Sequence, residues 1–148
     1  MLVAAIDPGL MTGAALVRFD TPEGCTLETS TELEFGRVML WCETFLPMAD
    51  RVVAEKFLIT KKTISNSQAP WSLEVLGVVR AMSLRIRDAD IELQSPAEAK
   101  SLVDNKMIRR LGLWHRGGEG HARDAIRHAV TYAIRKGWRD PRMMPPDA

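Results

Sequence analysis

The sequence predicts an α/β domain in which helices pack against a mixed five-stranded sheet. Two observations lead to this fold class: three strand-like segments open the chain, and strands then alternate with helices, which gives the order βββαβαβαα. The length of 148 residues and the hydrophobic fraction of 46% are typical of one folded domain and exclude a disordered chain. We expect this domain to span residues 1–138.

The first three strands are predicted from apolar runs and turn signals. Residues 2–6 are uninterruptedly apolar, as in a strand that is buried on both faces. The turn signal Asp7-Pro8-Gly9 ends this run, so residues 13–19 are expected to pair back on it as a hairpin. Residues 26–35 are rich in threonine and alternate in polarity, which predicts a third, half-exposed strand.

Strands and helices are expected to alternate in the middle of the chain. The pattern predicts a short helix over residues 38–45, a strand over 51–58 and another strand near 91–93. A long helix is expected between the two strands, over residues 71–86. The polar, turn-rich segment 61–70 is expected to form a mobile loop.

The last third of the chain is predicted to be mainly helical. A helical stretch is expected over residues 96–111, followed by a glycine-rich loop at 112–120 and a final helix over about 119–136. Residues 139–148 contain three prolines, and we expect them to form a loose tail.

Composition excludes several classes of protein. No apolar run approaches the ~20 residues that a membrane-spanning helix needs. The apolar amino terminus has no basic leader and breaks at Asp7, so we expect a strand there and not a signal peptide. Cys25 and Cys42 lack metal-binding spacing, which argues against a zinc finger or a disulfide scaffold and predicts a reduced, cytoplasmic protein.

The net charge of +1 hides an uneven distribution of charge along the chain. Residues 1–58 contain four basic and nine acidic side chains, whereas residues 104–142 contain ten basic and four acidic ones. An acidic half beside a basic half can hold metal ions next to a polyanion. The plainer interpretation is that these charged side chains lie by chance on solvent-exposed faces and bind no partner.

Two acidic residues occupy unusual positions in predicted strands. Asp7 ends a buried strand, where a carboxylate is costly unless it is paired or binds a cation. Glu55 interrupts an apolar strand, and glutamate is uncommon in strands. Each residue also has a plainer interpretation, with Asp7 as a turn residue and Glu55 as an outward-facing surface residue.

The final helix carries three polar residues beside an apolar stripe. His121 and Asp124 are three residues apart and His128 lies four further on, so the three cluster on one flank. A helix packed on the sheet by the stripe would direct this flank towards the strand ends. Alternatively, Asp124 and both histidines lie on the surface; His128 is expected to be a supporting or surface residue.

Together, these side chains predict a site for divalent metal ions. A cluster of Asp and Glu with at most one His favours Mg²⁺ or Mn²⁺. Two such ions can activate water and stabilise the leaving oxygen of a phosphodiester. The sequence contains no phosphate-binding glycine loop, nucleophile elbow or Cys/His pair that would indicate a competing site.

Several motifs occur in the same order as in one nuclease family. They are Ala5-Ile6-Asp7-Pro8-Gly9 with Thr12-Gly13, Val53-Ala54-Glu55, Asn66-Ser67 with Trp71-Ser72-Leu73 and Gly77, the stretch from Gln94 to Lys100, and His121-Ala122-Arg123-Asp124. Through them, residues 2–136 resemble the RuvC-type Holliday-junction resolvases of the RNase H-like superfamily. The short chain is similar to compact, phage-encoded members.

The resemblance implies a role for each candidate residue. Asp7 would bridge two Mg²⁺ ions, Glu55 would ligate one of them, and Asp124 with His121 would hold the other. Lys100 would neutralise charge at the scissile phosphate, and Lys106 corresponds to a second active-site lysine. The implied function is metal-dependent cleavage of Holliday junctions and other branched DNA.

The remaining expectations concern DNA binding. The candidate contacts to the DNA backbone are Lys61, Lys62, Lys106, Arg109, Arg110, Arg116 and Arg123. In the family, the loop after the catalytic glutamate often presents a phenylalanine that wedges into the junction. Here Phe57 lies one residue before that position, so Leu58 or Ile64 would take its place. Two alternatives remain open: cleavage of flaps or RNA–DNA hybrids, and a non-catalytic DNA-binding domain of the same fold.

The helix over residues 71–86 also predicts a homodimer. Its apolar residues cover most of the helical circumference, so both of its faces are expected to be buried. The sheet would cover one face, and the same helix of a second subunit would cover the other, with contacts at Leu76 and Val79 and a close approach at Gly77. The alternative is that other elements of a monomer cover this face.

Overall fold

The structure is a computed structural model that describes residues 1–20, 23–65 and 69–146, without the side chains of Ile64 and Ala69. The Asn66-Ser67 part of the family resemblance, and Ile64 as a wedge residue, therefore lie outside what is described. No helix among the described residues is long and apolar enough to cross a membrane.

The predicted five-stranded mixed sheet is confirmed. Its strands are β1 (Leu2–Asp7), β2 (Met11–Phe19), β3 (Cys25–Glu34), β4 (Arg51–Glu55) and β5 (Glu92–Gln94), in the spatial order β3-β2-β1-β4-β5. The first three pair antiparallel, whereas β4 and β5 continue the sheet in parallel from β1. The apolar β1 thus lies in the centre, and its side chains are buried on both faces of the sheet.

Six α-helices accompany the sheet in the described residues. They are α1 (Phe35–Phe45), α2 (Lys61–Ile64), α3 (Ala69–Arg87), α4 (Pro96–Leu102), α5 (Asn105–Arg110) and α6 (His121–Arg135). The helix expected over residues 96–111 is divided in two, because Val103 is extended and the Asp104 side chain caps α5 by accepting from the Met107 N–H. The expected loop at 61–70 contains the short α2, which Thr60 caps.

The helices form a layer on each face of the sheet. Val38 of α1 and Val75 of α3 pack with Ala4 and Ile6 on one face. On the other face, α6 packs on Val3 and Ala5 through the apolar stripe expected from the sequence. That stripe consists of Ala122, Ala125, Ile126, Ala129, Val130, Ala133 and Ile134, of which the first six are buried and Ile134 is half-buried. The small side chains in this stripe allow α6 to lie close to the sheet.

The long helix α3 differs from its prediction in one respect. Val79 is fully buried in the core beside the sheet, so the predicted use of Val79 in a contact between subunits is wrong. Leu73 and Leu84 instead face outward, and their exposed fractions are 47% and 49%.

The carboxyl-terminal segment also differs from the loose tail expected from residue 139. Asp140 is buried, and residues 141–143 form a 3-10 turn. Arg110 of α5 donates hydrogen bonds to the carbonyls of Arg142 and Met143 at 3.0 and 2.7 Å, which attaches the segment to the domain.

Candidate active site

Two of the candidate carboxylates end neighbouring parallel strands. Asp7 is the last residue of β1 and Glu55 the last of β4, and the preceding residues, Ile6 and Ala54, are partners in the strand register. Side chains at matching positions of neighbouring strands point to the same face. Asp7 and Glu55 therefore lie side by side at one edge of the sheet, on the face that α6 covers.

The start of α6 is fixed against this edge by two residues of neighbouring strands. A Cβ atom on Gly13 of β2 would lie 1.9 Å from the carbonyl oxygen of His121, so only glycine permits this approach. The Glu32 carboxylate of β3 accepts hydrogen bonds from the backbone N–H groups of Glu119, Gly120 and Ala122 at 2.9, 2.9 and 3.3 Å. Although burial opposes it, these bonds hold the pKa of Glu32 below its ordinary value.

Docked in this way, α6 presents basic groups to the carboxylates on the strand ends. His121 Nδ1 lies 2.9 Å from Asp7 Oδ2, and His128 Nε2 lies 3.0 Å from Glu55 Oε2. The third candidate carboxylate, Asp124, belongs to α6 itself and pairs with Arg127 one turn further on. Each of the three carboxylates thus contacts one basic side chain of α6.

Sequence reasoning missed part of this arrangement. Of the two positions expected of His128, the structure shows the supporting one and not the surface one: its side chain is 1% exposed, and its other ring nitrogen lies 3.0 Å from Gln94 Oε1 on β5. Arg127 was not considered a site residue, yet it is 7% exposed and contacts Asp124. The available signal was the position of both residues between Ile126 and Ala129, which belong to the buried stripe.

The surroundings of the site raise the pKa values of both Asp7 and His121. Burial, reinforced by the neighbouring Glu55, raises the pKa of Asp7 even though His121 acts in the opposite direction. The pKa of His121 is also raised, by its hydrogen bond to Asp7 and by the charges of Asp7, Glu32 and Glu119, despite burial. Burial is therefore the main cause of the raised pKa of Asp7, whereas the hydrogen bond to Asp7 is the main cause of the raised pKa of His121.

This donor set fits a hard divalent cation. Three carboxylates and one imidazole are ligands that Mg²⁺ and Mn²⁺ accept, and a bound cation would stabilise the ionised form of the buried Asp7. Within residues 1–20, 23–65 and 69–146, no three His, Cys, Asp or Glu side chains are arranged as a ready-made metal centre. The carboxylate oxygens of Asp7, Glu55 and Asp124 contact the basic side chains of α6 instead.

The predicted DNA contacts lie on several elements. Lys61 and Lys62 of α2, Lys100 of α4, Lys106 and Arg109 of α5 and Arg116 of the following loop are all exposed. The guanidinium of Arg109 lies 3.4 Å from the ring centre of Trp114, and that of Arg123 lies 4.9 Å from it. Arg110 differs from its predicted role, because its guanidinium binds the carboxyl-terminal segment.

The fold resembles that of solved RuvC structures. Thermus thermophilus RuvC in complex with a Holliday junction substrate matches with a TM-score of 0.72 and 19% sequence identity, over 93% of this chain and 97% of that chain. A second Thermus thermophilus RuvC structure matches with a TM-score of 0.73, the same identity and the same coverage. No protein-family model and no curated protein matches the sequence. The chain therefore has the fold of RuvC, a mixed-sheet α/β fold of the RNase H type.

Proposed function

We propose that this protein is a metal-dependent endonuclease that resolves Holliday junctions and related branched DNA. The observation that supports the proposal is that Asp7 and Glu55 end neighbouring strands of a RuvC-like sheet and contact His121 and His128 of α6, the helix that also carries Asp124. A structural neighbour was solved with a Holliday junction substrate, which supports this choice of DNA.

Each site residue has a role in the proposed reaction. Asp7, Glu55, Asp124 and His121 would hold the divalent ions, and bound Mg²⁺ would lower the pKa of a water and polarise the phosphate. His128 orients Glu55 through its contact at 3.0 Å, and Gln94 fixes the other side of the imidazole. Lys100, exposed on α4, would neutralise charge at the scissile phosphate.

Apolar residues after β4 supply a candidate wedge for the junction. Leu58 is exposed, and its neighbour Ile59 has an exposed fraction of 67%. Both precede the basic residues Lys61 and Lys62 of α2. This combination of apolar and basic groups suits a surface that separates bases while binding the neighbouring phosphates.

We also propose a homodimer formed through the outer face of α3. Leu73, Gly77 and Leu84 share one side of this helix, and all three are exposed. A two-fold axis through this face would direct two active sites to opposed strands of a four-way junction. In sedimentation at micromolar concentration, we expect twice the 16.5 kDa mass of the chain, and we expect Leu73→Arg to halve it. The control Met144→Arg alters an exposed apolar residue away from α3 and leaves the mass unchanged; a wild-type monomer would refute the interface.

One cleavage experiment tests the proposed activity. A four-way junction, a flap and an RNA–DNA hybrid of matched length are incubated with the protein in Mg²⁺, in Ca²⁺ and without a divalent ion. We expect cleavage of the junction in Mg²⁺ only, because Ca²⁺ coordinates with longer and looser geometry. Preferential cleavage of the flap or the hybrid would reassign the substrate, and DNA binding without any cleavage would favour the non-catalytic alternative. A phage origin and a cytoplasmic location stay predictions.

A further inference from the structure

Arg127 is a buried cation among the candidate metal ligands, and the proposed reaction does not use it. Its guanidinium has three fixed partners. Nε donates to the Val103 carbonyl at 2.9 Å, Nη2 donates to Asn105 Oδ1 at 2.6 Å, and Nη1 donates to Asp124 Oδ1. Because Val103, which follows α4, and Asn105, which begins α5, hold two of its nitrogens, the guanidinium is anchored independently of Asp124.

The charges around Arg127 explain why it can be buried. An arginine out of water is costly unless charges and hydrogen bonds compensate it. Burial lowers the pKa of Arg127, and the negative charges of Glu55, Asp104 and Asp7 act in the opposite direction. Arg127 thus neutralises part of the same carboxylate cluster that a divalent ion would neutralise.

We propose that Arg127 is a resident counter-cation of the candidate metal centre, which holds Asp124 until a divalent ion displaces it. The inference rests on the proposed function, in which Asp124 is a metal ligand. Metal binding is then an exchange: Asp124 Oδ1 leaves Nη1 of Arg127, while Nε and Nη2 keep their bonds to Val103 and Asn105. The Arg127–Asp124 pair stabilises the metal-free fold, and the need to break this pair weakens the affinity for the first ions.

A purely structural role for Arg127 makes a different prediction. If Arg127 only ties α6 to Val103 and to Asn105 of α5, its removal lowers stability and leaves metal affinity unchanged or weaker. If it competes with the metal, its removal tightens metal binding, because the cluster becomes more negative. Asn105→Ala is the matched control, since it removes one anchor of the guanidinium and leaves the pair with Asp124.

Calorimetric titration of the DNA-free protein with Mn²⁺ separates the two roles. We expect Arg127→Met to bind Mn²⁺ about tenfold more tightly than wild type, as the loss of one charge-assisted hydrogen bond predicts. Asn105→Ala should stay within about twofold of wild type on the same scale, and Asp7→Asn should lose binding. Wild-type binding that depends on Asp7, with an unchanged or weaker affinity in Arg127→Met, would overturn the exchange alone. If neither wild type nor Arg127→Met binds Mn²⁺ in a way that depends on Asp7, the metal centre and the exchange are overturned together.

A measurement on the wild-type protein covers the case in which Arg127→Met does not fold. In nitrogen-15 spectra of the arginine side chains, titration with diamagnetic Mg²⁺ should shift the Nη signal of Arg127 and leave its Nε signal, bonded to Val103, in place. The imidazole signals of His121 report the arrival of the ion. An Nη signal that stays fixed while His121 shifts would overturn the exchange, and a fixed His121 signal at saturating Mg²⁺ would overturn the metal centre.

Discussion

Asp7 and Asp140 are almost equally buried, with exposed fractions of 7% and 5%, yet their surroundings shift their pKa values in opposite directions. Asp140 accepts from Arg142 Nε and Nη2 at 2.9 and 2.6 Å, and these bonds hold its pKa below the ordinary range despite burial. Burial and Glu55 raise the pKa of Asp7, even with His121 hydrogen-bonded to it. Asp140 is fully paired, as expected of a carboxylate that stabilises the fold, whereas the ionised form of Asp7 is less favoured, as expected of the cation ligand that the proposed function makes it.

The largest expected effect is on cleavage by the Asp7→Asn variant. Removing a metal ligand forfeits several kcal/mol of charge stabilisation in the transition state, so the rate should fall by about a thousandfold or more. The metal-free stability should be equal or higher, because one of two repelling carboxylates is gone. Junction cleavage and thermal unfolding of the same preparations measure both.

Asp140→Asn is the matched control for that variant. It changes an equally buried aspartate, and we expect it to keep the wild-type cleavage rate at a temperature where it is folded. Full nuclease activity in Asp7→Asn would falsify the assignment of the site.

Docking of α6 against β2 gives the next effect. Gly13→Ala places a methyl group against the backbone of His121, so α6 must move and the fold should lose about 3 kcal/mol. Gly36→Ala is the control: nothing lies within 4 Å of its added Cβ, and alanine favours the helix. Urea unfolding of wild type and both variants tests this prediction. A Gly13→Ala variant as stable as wild type would show that the close approach at Gly13 is not required.

The Asp140–Arg142 pair should contribute a smaller, pH-dependent stability. We expect Asp140→Asn to lower the free energy of unfolding by about 1–3 kcal/mol at pH 7, a value reduced because Arg142 is half exposed. Since the folded-state pKa of Asp140 is depressed, this contribution is present at neutral pH. It is lost as the pH falls below about 4, through the folded-state pKa.

Urea unfolding of wild type and Asp140→Asn between pH 7 and pH 3 measures this difference. The gap between the two proteins should narrow on acidification, as wild-type Asp140 becomes protonated. A gap that widens towards acid would contradict the assigned role of Asp140.

Two adjacent arginines should likewise differ in role, with Arg109 binding DNA and Arg110 stabilising the fold. Arg109 is exposed beside Trp114, whereas Arg110 holds the carboxyl-terminal segment. If Arg109 binds a phosphate, Arg109→Gln should reduce the slope of log affinity against log salt by about 0.9, and Arg110→Gln should leave the slope unchanged. Binding of the junction at several salt concentrations checks both, and equal slopes for all three proteins would remove Arg109 from the interface.

The sequence was most informative where the signal was local. The apolar run before Asp7 predicted the central strand, and the stripe beginning at Ala122 predicted how α6 packs. The carboxyl-terminal segment was missed because its proline content resembles that of a loose tail, while its partner Arg110 lies about thirty residues away. Burial of Arg127 was missed for a similar reason, since Val103 and Asn105 reach it only in the folded chain.

Anomalous diffraction from crystals soaked in Mn²⁺ tests the central claim most directly. The account predicts at least one anomalous peak within about 2.3 Å of carboxylate oxygens of Asp7 and of Glu55 or Asp124. In the same crystals, Asp124 should have moved away from Arg127. Mn²⁺ peaks located only at other carboxylates, with the Asp7–His121 and Asp124–Arg127 contacts intact at saturating metal, would contradict it.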